Sequence, residues 1–340
     1  MPDRPHAGRP YAGRPHAARP HASRTHAARR RILAALAALT AIALVLTGCS
    51  RGSGDDGGDG NGDGGDQRVA ALGLGDADTL LALGITPVAV APWGAKGDGD
   101  PSGVGPWAKD ELGDARPLPV YGTGTGFTAD IIEQVASTSP TQIIAVNAAV
   151  DERAQADLEK IAPVTTHPPE YTDWQVPWEV QVTTIADAVG EHDRGQELIA
   201  QSEQTLKDFR NEHPELQGKT AAVVMPYAGK LGLYTEGDGR GDMIEKLGFT
   251  IPEELQATPE GTFYRDIAPE NYRELNSLDY LFVLDYNGAV EQLKNDPIFS
   301  DLDIVKQDKV VYLDEDAGNA MSMPNPLTIP FAVKKVAAAV

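Results

Sequence analysis

Two side-chain types in this chain could grip a polar organic ligand: aromatics and arginines placed just past short apolar runs. Trp93, Tyr227, Tyr234 and Tyr286 end or follow such runs, Trp107 sits in a Gly/Pro-rich loop, and Arg240 and the pair Tyr264-Arg265 lie further on. Aromatic rings offer flat area to an organic skeleton, and a guanidinium fork donates in-plane N–H bonds to oxygens. The alternative for any one Trp or Tyr is ordinary packing, and for either Arg a surface ion pair. Gly75-Asp76, Tyr121, Asn147 and Asn287 occupy comparable places, with Trp174 and Trp178 near the middle of the chain.

Other chemistries lack their residues. There is no Gly-x-Ser-x-Gly nucleophile elbow and no His-Glu-x-x-His motif. Gly218-Lys219-Thr220 ends like a phosphate loop, but His213 stands where its first glycine belongs and an apolar strand pattern follows. The run from Gly122 to Gly126 lacks the Gly-x-Gly-x-x-Gly spacing and reads as a tight turn at a cleft rim. Beyond residue 48 only His167, His192 and His213 remain, on or beside different segments, so no convergent metal site is expected. No catalytic residues, no metal ligands and no resident cofactor are therefore expected.

The elements that must position these residues follow from hydrophobic periodicity. Short apolar runs at 69–74, 88–90, 142–146 and 163–165 alternate with helical patterns at 77–83, 130–137 and 152–161. A longer helical region spans 178–213 with an interruption at Gly190. Within it Leu198, Ile199, Ser202, Leu206 and Phe209 share one face, and Pro214 stops it. Strand patterns resume at 220–224, 231–234, 281–284 and 310–312, with helices at 242–247, 269–275 and 327–339. The pattern predicts two Rossmann-like α/β lobes with mostly parallel sheets, joined by a single long bridging helix. The expected boundaries are 68–178 for the N-terminal lobe, 179–213 for the helical bridge and 214–340 for the C-terminal lobe. Ligands of such sheets sit beyond the carboxyl ends of the strands, where the aromatics and arginines fall.

The 340 residues hold 29 Lys+Arg against 50 Asp+Glu, a net charge of -21. That balance argues against nucleic acid as a partner. Residues 1–48 contain eight Arg and one acid, Asp3, so the remainder carries -28. Residues 4–28 repeat a unit typified by Arg4-Pro5-His6-Ala7-Gly8, a low-complexity basic stretch or an extension upstream of the true start. Arg29-Arg30-Arg31, an apolar run over 32–46 and Leu46-Thr47-Gly48-Cys49 then read as a secretory signal. The run is too short to span a membrane, which takes about 20 residues. The assignment is 1–48 as signal peptide with a basic repeat n-region, exported by the general or the twin-arginine route. Residues 49–67 form a Gly/Asp-rich tether. Its run from Asp59 to Gly64 imitates a calcium loop, but Ala70 stands where the bidentate Glu is required. The lone Cys49 excludes an intramolecular disulfide framework and a Cys-based zinc site.

Leu46-Thr47-Gly48-Cys49 resembles the lipobox of bacterial lipoproteins, which implies lipidation of Cys49. The stretch from Ala71 to Val88, ALGLGDADTLLALGITPV, resembles the opening of iron-siderophore ABC-transporter substrate-binding lipoproteins, the helical-bridge periplasmic-binding-protein-like family. Gly103-Val104-Gly105-Pro106-Trp107, Ile161-Ala162-Pro163, the segment from Tyr234 to Asp238, Leu247-Gly248-Phe249 and the segment from Asn325 to Pro330 agree in order, so the resemblance covers about 68–335. It implies a monomer anchored on the extracytoplasmic face of the cell membrane by lipid on Cys49. Such a protein captures a ferric siderophore between its lobes and delivers it to an ABC permease for iron uptake. Iron arrives already wrapped by its chelator, so the protein need supply only surfaces and hydrogen bonds. The implied ligand-binding residues are Trp93, Trp107, Tyr227, Tyr234, Arg240, Tyr264, Arg265 and Tyr286. Glu133 and Glu270, one on each lobe, take the places of the acids that dock onto the permease. Ser139-Pro140-Thr141-Gln142 departs from the family's usual Lys-Pro-Asp-Leu beyond Glu133. A haem or corrinoid receptor of the same transporter class is the alternative, and a cell-surface hydrolase a more distant one. Hydroxamate and catecholate chelators both remain open: the acidic surface disfavours an anionic ligand, and the two arginines favour one.

Overall fold

Runs such as Val69-Ala70-Ala71 and Ile143-Ile144-Ala145 are apolar on both faces of a strand, and such strands require helices on either side of their sheet. The computed structural model, which describes residues 67–94, 96, 100–259 and 262–340, builds lobe one that way. The expected signal peptide, Cys49 and nearly all of the expected tether lie outside the described residues. Five strands, β1 (Val69–Ala71), β2 (Ala89–Val90), β3 (Leu118–Pro119), β4 (Gln142–Ala145) and β5 (Val164–Thr166), pair in the order β3-β2-β1-β4-β5. All four pairings are parallel. The connecting helices are α1 (Asp76–Ala82), α2 (Lys109–Leu112), α3 (Ala129–Ser137) and α4 (Glu152–Leu158). Alternation along the strands divides the core. Val69, Ala71 and Ile144 pack with Leu80 of α1, while Ala70, Ile143 and Ala145 pack with Val135 of α3 and Leu158 of α4.

Two successive helices lead out of lobe one: α5 (Trp178–Val189), which packs on α1, and α6 (His192–Glu212), which crosses to the second lobe. Gly190 separates them in the left-handed conformation, φ 80°, which closes α5 at little steric cost. The 21 residues of α6 span about 31 Å at 1.5 Å per residue. Its apolar stripe serves both lobes: Leu198 joins the core of lobe one, and Leu206 and Phe209 join that of lobe two. This is the single long connecting helix of the fold.

Lobe two contains β6 (Ala221–Tyr227), β7 (Lys230–Tyr234), β8 (Tyr264–Ile267), β9 (Tyr280–Leu284) and β10 (Val310–Leu313), in the order β10-β9-β6-β7-β8. Strands β6, β9 and β10 are parallel, whereas β7 runs antiparallel to both β6 and β8. The cause is local. Only Ala228 and Gly229 separate β6 from β7, both at positive φ, and a two-residue turn permits a hairpin but no crossover. The two sheets together are mostly parallel. The helices here are α7 (Gly239–Lys246), α8 (Glu253–Gln256), α9 (Ala289–Lys294), α10 (Pro297–Ser300), α11 (Asp303–Lys306), α12 (Glu315–Ser322) and α13 (Thr328–Ala337). The last of these packs along α6, and its Phe331 meets Trp107 of lobe one edge-on at 5.5 Å.

Candidate functional site

The carboxyl ends of β1 and β2 face those of β6 and β9 across a cleft of about 410 Å³, within the range of small-molecule pockets. Lobe one contributes Pro92, Trp93, Tyr121 and the turn Gly122–Thr125; lobe two contributes Met225, Tyr234, Arg240, Tyr286, Asn319 and Ser322. The glycine-rich run therefore forms a 3-10 turn at the cleft, as its reading as a rim turn expects. Trp174, on the strand-to-bridge connection, also lines it and has a left-handed backbone, φ 67°, a strained state for a bulky residue. Behind it, Trp174 and Ser322 also wall a smaller cavity of about 100 Å³.

Four of the eight expected ligand residues meet in the cleft: Trp93, Tyr234, Arg240 and Tyr286. Arg240 occupies the first turn of α7. The Asp238 carboxylate caps that helix by accepting the Arg240 backbone N–H at 2.9 Å, and it also accepts Nη1 at 3.0 and 3.1 Å. The guanidinium lies 4.0 Å from the centre of the Tyr234 ring. Burial opposes its charge, but Asp238, Tyr234 and Tyr286 hold its pKa above the ordinary value. Its Nε is buried without a partner. Burial raises the Tyr234 phenol and pushes that of Tyr286 up to about 12, so both stay protonated at neutral pH. The Tyr286 hydroxyl donates to Asn319 Oδ1 at 2.9 Å.

The other four lie elsewhere, for identifiable reasons. Trp107 is buried behind Trp93, the rings meeting edge-on at 5.1 Å. Its indole N–H is spent on Asp78 Oδ2 at 2.8 Å. Tyr227 sits at the tip of the β6–β7 hairpin and donates its hydroxyl to Asp266, which Lys230 also pairs. Tyr264 is opposite Tyr234 in the ladder and on the same face, with ring centres 6.4 Å apart, but it is 40% exposed and outside the cleft lining. Arg265, the next residue, faces the opposite side of the sheet and pairs with Glu274 at 3.0 Å. Glu133 on α3 and Glu270 in the 3-10 helix Pro269–Ser277 are both exposed. Asn319 and Ser322 escaped sequence reading because α12 was not anticipated. Its start is signalled by Asp314, which accepts the Ala317 N–H, and by acids at the next two positions.

Beneath the lobe-one wall, two carboxylates are wholly buried on α1. Asp76 accepts backbone N–H groups of Gly73, Val146 and Asn147 and the Gln181 amide; Asp78 accepts Trp107 and the Asn325 amide at 3.3 Å. Burial pushes them up to about 6 and about 7, against the pull of these donors. No group of three or more His, Cys, Asp or Glu able to hold a metal occurs among the described residues. Each described histidine meets a different acid: His167 with Asp173, His192 with Asp187, His213 with Glu215. No helix among the described residues is long and apolar enough to cross a membrane.

The Periplasmic binding protein family profile matches residues 69–317. The chain is 25% identical over 307 residues to the Fe(3+)-citrate-binding protein YfmC of Bacillus subtilis (strain 168), covering 84% of this chain and 90% of the relative. A periplasmic solute binding protein from Mycobacterium smegmatis superposes with a TM-score of 0.70 and 27% identity, over 79% of this chain and 90% of that one. PiaA of Streptococcus pneumoniae TIGR4 in complex with ferrichrome superposes with a TM-score of 0.65 and 26% identity, over the same shares of the two chains.

Proposed function

This chain belongs to the periplasmic binding protein family, and from that premise we propose that it is an extracytoplasmic receptor for a ferric siderophore, which it hands to an ABC permease for iron uptake. The observation that carries this reading is the interlobe cleft of about 410 Å³, walled by Trp93, Tyr121, Trp174, Tyr234 and Tyr286 around one guanidinium. The site offers ring faces and guanidinium N–H donors, which suit a cargo whose iron is already wrapped by its chelator. Relatives that bind ferric citrate and ferrichrome support the same class of cargo. Trp93, Tyr234, Arg240 and Tyr286 make the ligand contacts. Trp107 backs Trp93, and Tyr264 flanks Tyr234 at the rim. The protein is a carrier without catalysis or a resident cofactor, and acts as a monomer.

Residues 1–48 direct export, lipid on Cys49 anchors the chain at the outer face of the cell membrane, and residues 49–67 tether the two lobes to it. Quenching of tryptophan fluorescence in the purified protein by a panel of ferric siderophores tests the receptor reading. At least one is expected to bind below the micromolar range. Binding of haem or a cobalamin with no ferric siderophore bound would reassign the cargo. Exposed Glu133 and Glu270 present one acid on each lobe to arginines of the permease. Reversing both charges is expected to abolish uptake in cells while leaving affinity in vitro unchanged; lost affinity would place these acids in ligand binding instead.

A further inference from the structure

The charges lining the cleft say which ferric siderophores fit, an inference that rests on the receptor reading above. Among the described residues lining the main cleft, Arg240 is the one basic side chain. Its charge is already met by Asp238, through two contacts from Nη1. What Arg240 still offers is hydrogen bonding: Nε–H is buried with no acceptor. A neutral oxygen, such as a hydroxamate or amide carbonyl, satisfies that donor without bringing a second anion beside Asp238.

A second chamber, of about 300 Å³, shares Trp93, Gly94 and Asn319 as walls with the first and opens beside them. Its charged lining residues are Asp100, Lys109, Glu315 and Asp316. Lys109 and Asp100 cancel each other across a 2.8 Å bridge, and that contact holds Asp100 below the usual carboxylate range. Glu315 and Asp316, at the start of α12, are exposed, and no ion pair engages them among the described residues. Among the described residues, the charged groups of the two chambers are two internally neutralised pairs and two free carboxylates. An anionic ligand would meet uncompensated negative charge at the mouth and, among the described residues, no uncommitted cation inside.

We propose that the cargo is an uncharged or cationic ferric tris-hydroxamate, its wrapped iron against the aromatic wall and any pendant ammonium directed to Glu315 and Asp316. Three hydroxamates neutralise Fe(III), whereas three catecholates leave the complex triply negative. The cleft thus discriminates by refusing charge as much as by attracting it.

The test is a quenching titration of the purified protein with four probes: ferrioxamine B, whose free amine is protonated, uncharged ferrichrome, a ferric tris-catecholate, and ferric citrate. Both hydroxamates should bind at least about tenfold tighter than either polyanion, the margin that unfavourable like-charge contacts support. The double variant E315Q/D316N should weaken ferrioxamine B by roughly threefold to tenfold, bringing it toward ferrichrome, and added salt should do the same in the parent. Equal or tighter binding of the catecholate or citrate complex would overturn the hydroxamate assignment and leave the receptor reading standing. An unchanged ferrioxamine B affinity in the double variant would overturn the role of the acids. If haem or a cobalamin binds and none of the four probes does, both readings fall.

Discussion

Both lobes bury carboxylates beside the cleft, and they treat them in opposite ways. In lobe one, Asp76 and Asp78 are fully buried with no cation against them; amide and indole N–H donors hold them. In lobe two, Asp238 is buried against Arg240. The first arrangement is mortar. Asp76 ties α1 to Gln181 on α5, and Asp78 ties it to Asn325, far along the chain between α12 and α13. The second keeps a guanidinium ionised at the cleft wall while cancelling its net charge. A buried carboxylate thus ties elements together where only dipoles surround it, and holds a cation at the cavity wall where its partner reaches the cavity.

The same substitution, Asp to Asn, should move the two lobes in opposite directions. D238N leaves a mostly buried guanidinium without its counter-charge, and breaking such a pair costs about 3–5 kcal/mol. Because Asn can still cap α7, the loss belongs to the charge and not to the cap. Denaturant melts at neutral pH measure it, and R240M/D238N should recover much of the loss. A single variant as stable as the double would mean that the pair carries no coupling.

D78N should instead stabilise lobe one, and only at higher pH. The folded-state pKa of Asp78 is raised to about 7 and that of Asp76 to about 6. An unfolded Asp titrates near 3.9. The folded chain therefore holds extra protons between about pH 4 and 7, and the stability these groups contribute in acid is lost as pH rises through that window. Asn keeps an acceptor for Trp107 and has no charge to bury. By pH 8 it should exceed the parent by on the order of 1–3 kcal/mol, while at pH 4 the two should match. The quantity to follow is the difference between variant and parent, because acids held low by partners, such as half-buried Asp279 and exposed Asp301, tilt the parent curve the other way. A constant difference across pH would show that Asp78 is ionised throughout.

Much of this architecture was legible from periodicity. The lobe-one strands around Ala70 and Ile143, the interruption at Gly190 and the stop at Pro214 all carry local physical signals. So did the general place of the cleft, because Trp93, Tyr234 and Tyr286 lie at or just past strand ends. Two strands escaped. Leu118–Pro119 is a two-residue edge, and Tyr-Arg-Asp-Ile at 264–267 is mostly polar and half exposed. Gly75-Asp76 reads as a candidate ligand position past a strand end, and nothing local says that Asn325, 247 residues from Asp78, will close over a buried pair of acids. Which face an Arg occupies depends on ladder register, and register is a property of the pairing, not of the segment.

That point gives the smallest expected effect. Arg240 and Arg265 looked alike in sequence, each close to a tyrosine at the edge of lobe two. The register that puts Tyr264 beside Tyr234 turns Arg265 to the opposite side, onto Glu274. R265Q should therefore leave siderophore affinity within about twofold and cost stability by only about 0–1 kcal/mol, as expected of a partly exposed pair. R240Q should weaken binding by at least about tenfold, since a hydrogen bond to a charged donor contributes about 1.5–3 kcal/mol. Parallel quenching titrations of the two variants decide the matter. Equal losses would mean that β8 shifts register or the sheet edge folds inward when ligand binds, bringing Arg265 to the cleft. Unequal losses in the stated order would confine ligand recognition in lobe two to the face that carries Tyr234.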